Sequence, residues 1–365
     1  MNYDYIIVGA GITGSVIASE LHKRGYKVLV VEKRGHKGGN MYTELTKDIH
    51  VHKYGPHVFH TDSEFIWNYI NQFAIFKPYI QETLANYRGE MYNLPFNMNT
   101  FNQIFNENSP EKCKEIIANE ISQVYKKRPK NLKEQALNLV GPTIFNKLIK
   151  GYTEKQWGAS CEELDPSIIK RIPLRFEYNN NYFNDKYQGI PIGGYTQIFD
   201  NMLKGIDIRF DCDFNKHKEE FRGAKIIHTG MIDEYYNFCY GELEYRSLRF
   251  EEQWYPCFQM GKHAVVNYTD AETPWTRIIE HKHFDDTSSK GTILTKEFPA
   301  KFEKGMEAYY PINNEKNNKL YAKYAKKAKR DKITFCGRLG SYSYLDMDDA
   351  IEHAFAVLKK IVRGR

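Results

Sequence analysis

A glycine-rich turn between two short apolar strands at the N-terminus, a long helical stretch in the first half, and strand patterns that return after it predict an α/β fold. The expected form is a Rossmann-like domain, with an inserted helical domain and an antiparallel-sheet domain for substrate. Tyr5-Ile6-Ile7-Val8 reads as a buried strand, Gly9-Ala10-Gly11-Ile12-Thr13-Gly14 as the turn into a helix, and Val28-Leu29-Val30-Val31-Glu32 as the second strand ending in an acid. Gly9 permits the tight turn, Gly11 lets the backbone approach a pyrophosphate, and Gly14 lets helix and strand pack closely. The helix N-terminus favours phosphate, and Glu32 is placed to accept from ribose hydroxyls. The pair Gly38-Gly39 shortly after this acid resembles the FAD-binding branch of the fold.

Further along, residues 63–76 carry a helical apolar stripe, and 84–94 read as a β-hairpin turning at Arg88-Gly89. Residues 99–156 look mostly helical, with helices at 112–126 and 132–152 and breaks at Pro129 and Pro142. Strands are expected at 171–178, 206–210, 225–229, 245–250, 264–268, 276–281, 292–296 and 333–337, and Asp346 is a candidate cap for a last helix. The first and last segments therefore belong to one discontinuous domain, expected at 1–80, 200–240 and 330–365. The helical domain is expected at 97–160, and the mainly β domain at 81–96, 161–199 and 241–329.

Composition narrows the function classes. The chain has 365 residues and a formal charge of +6 from 52 basic and 46 acidic residues, a balance that suits an anionic ligand and does not indicate nucleic-acid binding. The basic run at 319–332 reads as a solvated helix face. Six scattered cysteines without CxxC spacing read as reduced thiols, not a disulfide framework or a zinc site. No apolar run approaches the length needed to cross a bilayer, so a cytoplasmic protein is expected, without membrane insertion.

Several clusters carry chemistry. His50, His52, His57 and His60 fall within eleven residues, but no nearby acid or thiol completes a metal shell, and none is expected. Gly55-Pro56 turns the chain so that His57 can lie against a cofactor. Gly151-Tyr152-Thr153-Glu154-Lys155-Gln156-Trp157-Gly158 ends a helix with two aromatic residues; it is equally readable as a capped core helix. Arg171 stands at a loop–strand junction. Arg277 falls inside a strand, where its charge needs Glu280 or an anionic ligand as partner. Two such arginines suit a diphosphate, because a guanidinium donates parallel bonds to phosphate oxygens.

Together the ordered blocks resemble the prokaryotic UDP-galactopyranose mutases: the N-terminal turn, Lys53 to Thr61, Asn93 to Asn97, Lys150 to Gly158, Ile169 to Arg175, Asn180 to Phe183, Gln188 to Tyr195, Tyr245 to Leu248, Thr276 to Phe284, Tyr309-Tyr310-Pro311 and Gly337 to Met347. The resemblance implies interconversion of UDP-galactopyranose and UDP-galactofuranose without net redox change, with N5 of reduced FAD as covalent nucleophile. It implies that Arg171 and Arg277 bind the diphosphate and stabilise it on departure, Arg171 from a mobile loop, and that His57, on the flavin side, is catalytic with them. Tyr152 would stack on uracil beside Thr153, and Trp157 would face the sugar. Tyr182, Tyr310 and Tyr344 would donate to phosphates, with Asn267 nearby. Gly9, Gly11, Thr13, Gly14, Glu32, Lys33, Gly39, Asn40, His57, Val58, Arg338, Asp346 and Met347 would contact FAD. Gln81 replaces an asparagine common in the family, which leaves open a preference for a 2-acetamido sugar. A homodimer is also implied.

Two rivals share these features: a flavin oxidase or monooxygenase, and a non-catalytic binding protein on the same fold. The first has no second nucleotide-binding turn for NAD(P)H and no use for paired arginines. The intact glycine and Glu32 set opposes the second.

Overall fold

The computed structural model describes residues 3–169, 172–257, 260–285 and 287–363. The chain divides into two compact units, one of Met1–Tyr79, Asp185–Ser247 and Phe302–Arg365, the other of Ile80–Asn184 and Leu248–Lys301.

The first unit is built on five parallel strands in the order Asp207–Arg209, Val28–Val31, Tyr5–Val8, Lys225–His228, Thr334–Phe335. Tyr5–Val8 and Val28–Val31 are buried throughout, as strands covered on both faces must be, and they are apolar for that reason. Helix Ile12–His22 leaves the turn and packs against the last helix, Met347–Arg363. Asp346 immediately precedes that last helix, and its carbonyl accepts from the Ala350 N–H.

The helix expected at 63–76 covers only Glu64–Ile70. Ser63 caps it by accepting from the Ile66 N–H, and Asn71 closes it by donating to the Trp67 carbonyl. Phe76–Pro78 then pairs as a strand with Tyr187–Pro191, which also pairs with Phe59–Thr61.

The strands of the second unit belong to a sheet in the order Tyr310–Pro311, Tyr245–Tyr255, Thr292–Lys301, Arg277–Glu280, Val265–Tyr268, Thr83–Tyr87, Glu90–Leu94, of which Tyr310–Pro311 and the start of Tyr245–Tyr255 are in the first unit. Neighbours are antiparallel at each recorded register except Val265–Tyr268 beside Thr83–Tyr87, which run parallel. The expected hairpin closes at Arg88 and Gly89, both with positive φ. Helices Pro110–Val124 and Leu132–Ile144, a π-turn at Phe145–Ile149 and helix Lys150–Trp157 follow, over a core of Phe101, Ile117, Val140, Ile144 and Phe145. Pro142 does interrupt the helix: Gly141 takes φ +76°, and Glu120 accepts from the freed Thr143 N–H and hydroxyl.

The strand expected at 171–178 is not present among the described residues 172–178. That segment makes single backbone bonds to a neighbour, Arg175 N–H to the Phe96 carbonyl and Met98 N–H to the Glu177 carbonyl. Pro173 has no N–H to contribute to a ladder.

Candidate functional site

The ends of the parallel strands open on a cleft in the first unit, lined by the N-terminal turn, Glu32, residues 38–41, His57, residues 213–215 and 228–231, Tyr309 and the turn after Cys336. Gly9 takes φ +102°, and a Cβ there would collide with the Thr229 hydroxyl; one on Gly14 would collide with the Gly9 carbonyl. A Cβ on Gly39 would lie 2.9 Å from the Gly11 Cα. Two bare stretches of backbone thus approach each other, leaving room for a phosphate-bearing ligand along the turn. Glu32 is buried at the strand end, its Oε2 accepting from the Ala10 N–H at 2.7 Å and its Oε1 from the Arg34 N–H at 2.9 Å. Each oxygen keeps a lone pair for a hydroxyl donor.

Two residues of this lining carry a buried polar atom without a partner among the described residues: Nε2 of His228 and Oδ1 of Asn215. His228 accepts from the Gly230 N–H through Nδ1, and burial pushes its ring down to about 3, so it stays neutral. A cradle with a carboxylate, bare turns and orphaned polar atoms fits a dinucleotide.

Of the residues expected at the cofactor, Gly9, Gly11, Thr13, Gly14, Glu32, Lys33, Gly39, Asn40, His57, Arg338, Asp346 and Met347 line the cleft, and Val58 is buried beside it in sequence without lining it. His57 Nδ1 lies 2.7 Å from the Gly55 carbonyl, while its N–H donates to His52 Nδ1 and its carbonyl accepts from Tyr195. His52 and His57 thus help to hold this loop. Among the described residues no group of three His, Cys, Asp or Glu is placed to hold a metal. Tyr310 and Tyr344 stack with centroids 5.9 Å apart, and the Arg338 guanidinium lies 4.9 Å from the Tyr344 ring while donating to the Leu345 carbonyl.

The second unit gathers another set. Asn267, Arg277 and Glu297 sit opposite one another across three adjacent strands, so their side chains share a sheet face. The partner of Arg277 is Glu297, not Glu280: Nε lies 2.8 Å from Oε2 of a carboxylate with no solvent exposure. Residues three apart on a strand point to opposite faces, which sends Glu280 away to His283 and the Met260 N–H. Glu297 Oε1 also accepts from the Thr276 hydroxyl. Asn267 Oδ1 is buried with no partner among the described residues. Tyr182 is held by its own N–H on the Gln81 carbonyl, and its phenol feels the Arg277 charge. Tyr152, Thr153 and Trp157 occupy one short helix, ended by Gly158 at φ +66°. Arg171 lies outside the described residues.

Comparison with known proteins shows the family. The profile described as UDP-galactopyranose mutase matches residues 147–344, and one described as NAD(P)-binding Rossmann-like domain matches 7–73. A probable UDP-galactopyranose mutase of Klebsiella pneumoniae is 40% identical over 97% of this chain and 93% of its own length. The chain belongs to the UDP-galactopyranose mutase family. Other relatives include a dTDP-fucopyranose mutase of Escherichia coli, 38% identical over 98% of both chains, and a UDP-galactopyranose mutase of Mycoplasma pneumoniae, 32% identical over 99% of this chain and 96% of its own. The crystal structure of a reduced UDP-galactopyranose mutase superposes with TM-score 0.79 at 15% identity, covering 100% of this chain and 95% of that one. Putrescine oxidase shares the fold at TM-score 0.59 and 11% identity.

As a member of this family the chain is an isomerase on a Rossmann-like, flavoenzyme-type fold. Sequence reading missed Arg34, Glu307 and Glu297, which shape its site. Arg34 is bound to Glu307 at 2.5 Å, which also meets Lys33 at 3.1 Å, so one acid bridges the strand end and the cleft wall. Thr229 fills the space above Gly9, a role readable from the Thr-Gly ending of its strand. Glu297 could have been found by pairing Arg277 with each acid on a neighbouring strand pattern.

Proposed function

We propose that this family member interconverts the pyranose and furanose forms of a nucleoside-diphosphate galactose, with UDP-galactose as substrate and FAD as cofactor. The observation that carries this reading is the Arg277 guanidinium, ion-paired with the buried Glu297 carboxylate. A guanidinium carries its N–H donors in a planar fork, a geometry that matches the oxygens of a diphosphate. The glycine turn and Glu32 would hold FAD, which in its reduced form would supply the nucleophile for ring contraction. The protein positions and stabilises charge: Arg277, with Arg171 as proposed second cation, neutralises the departing diphosphate. Tyr182, Tyr310 and Tyr344 offer phenolic hydrogens, Tyr152 a face for the base, and Trp157 a wall for the sugar. Glu32 and the glycine turn hold the dinucleotide. A cytoplasmic homodimer belongs to the same proposal.

Dithionite-reduced protein is expected to equilibrate UDP-galactofuranose with UDP-galactopyranose on anion-exchange chromatography, and oxidised protein to be nearly inert. Peroxide formed in proportion to substrate would instead identify an oxidase. The dTDP-fucopyranose mutase relative supports a second reading, a thymidine-linked 6-deoxy sugar, since its identity to this chain is close to that of the Klebsiella relative. Running UDP-galactose, UDP-N-acetylgalactosamine and dTDP-fucose side by side decides among them.

A further inference from the structure

Lys155 lies between two residues of the proposed substrate site on the helix Lys150–Trp157, yet its ammonium turns inward. Nζ donates to the carbonyls of Tyr268 at 2.8 Å, Thr273 at 2.9 Å and Trp275 at 3.0 Å. Tyr268 ends the strand bearing Asn267, and Thr273 and Trp275 lie in the loop that joins it to the strand bearing Arg277. An ammonium has three N–H donors, and here each meets one carbonyl. Two further contacts dock the same helix on the same loop. Gly151 abuts the backbone of residues 269–271 so closely that a Cβ would collide with the Thr269 carbonyl. The Thr269 hydroxyl donates to the Lys147 carbonyl, just before the helix, at 2.7 Å. Inside the loop, Asp270 accepts from the Thr273 N–H and hydroxyl, which fixes the shape on which the ammonium sits.

We propose that Lys155 is a positioning residue that sets the spacing between the helix carrying Tyr152, Thr153 and Trp157 and the strand pair carrying Asn267 and Arg277. The proposal rests on the reading of those residues as the nucleotide-sugar site. A charged side chain satisfied by three main-chain carbonyls holds a loop without dictating its side chains. The helix and the Arg277 strand then keep one separation while the loop sequence is free to vary. Gly151 sets the approach from the other side, so the spacing has a lower limit from backbone contact and an upper limit from the ammonium's reach.

The test uses full-length, FAD-loaded protein and UDP as the probe, titrated by calorimetry, with FAD content and thermal midpoint measured on each sample. Lys155→Met removes the three donors; Gly151→Ala keeps them and forces the surfaces apart. Both variants are expected to weaken UDP binding tenfold or more and raise KM in parallel, with FAD content unchanged, since the cofactor cleft lies in the other unit. Either variant, soluble and fully loaded, binding UDP within twofold of the unsubstituted protein overturns the positioning role. Should Lys155→Met fail to fold, Gly151→Ala alone decides. Unsubstituted protein that binds neither UDP nor dTDP defeats the nucleotide-sugar reading itself, and the inference with it.

Discussion

Arg277 and Glu297 face each other across two antiparallel strands, with Nε 2.8 Å from Oε2 and the carboxylate fully buried. An ion pair with a buried carboxylate favours one placement of a partly exposed guanidinium. Glu297→Gln removes the charge and keeps the shape. It is expected to lower kcat/KM at least tenfold and stability by about 1–3 kcal/mol, because a buried polar partner is left poorly satisfied. Urea titration and the mutase assay read the two effects separately, and an unchanged kcat/KM would remove Glu297 from the site.

Arg277→Lys tests whether geometry or charge matters. A single ammonium cannot meet Glu297 and a diphosphate together in the way a five-donor fork can. The lysine variant is expected to lose about as much as Arg277→Ala, roughly 3–4 kcal/mol in transition-state stabilisation. Recovery to within threefold of the parent by lysine would show that charge alone suffices.

Gly14→Ala places a methyl group against the Gly9 carbonyl. Helix and strand must then separate, at a cost of about 1–3 kcal/mol typical of overpacking. The expected result is a lower urea midpoint and reduced FAD content by absorbance near the flavin band.

His228 gives the first unit a sensitivity to acid. Its folded ring titrates at about 3, while an unfolded histidine titrates near 6.5. The folded value is the lower one, so the unfolded state binds the extra proton below pH 6.5. Stability is then full above that value and lost as pH falls toward 3. The expected loss is about 2 kcal/mol between pH 7 and pH 5, from a slope of about 1.4 kcal/mol per unit. His228→Asn retains an acceptor for the Gly230 N–H and should flatten that slope in urea titrations at the two pH values.

The parts of this molecule legible in the sequence are those with local signals. The first strand, its glycine turn and Glu32 announce a dinucleotide cradle because each step depends on neighbours a few residues away. The Arg88-Gly89 hairpin is legible for the same reason, since positive φ at both positions selects its turn. Arg277 was recognisable as a charge needing a partner, but the partner depended on strand register, which places Glu297 opposite it from twenty residues away. Lys155 was unreadable because its acceptors are main-chain carbonyls, which carry no residue identity. The segment around Pro173 has strand-like composition, but no ladder is formed among the described residues 172–178.

The parallel sheet of the first unit draws its strands from stretches separated by more than half the chain, and Thr334–Phe335 and the helix Met347–Arg363 complete it. During synthesis, the glycine turn therefore emerges long before the walls that enclose its ligand. Contacts at such separation are slow to form, because loop closure precedes any gain from pairing. Cofactor capture becomes a late event, coupled to docking of the C-terminal segments, and a nascent chain lacking them exposes the apolar edge of Lys225–His228 to whatever it meets first.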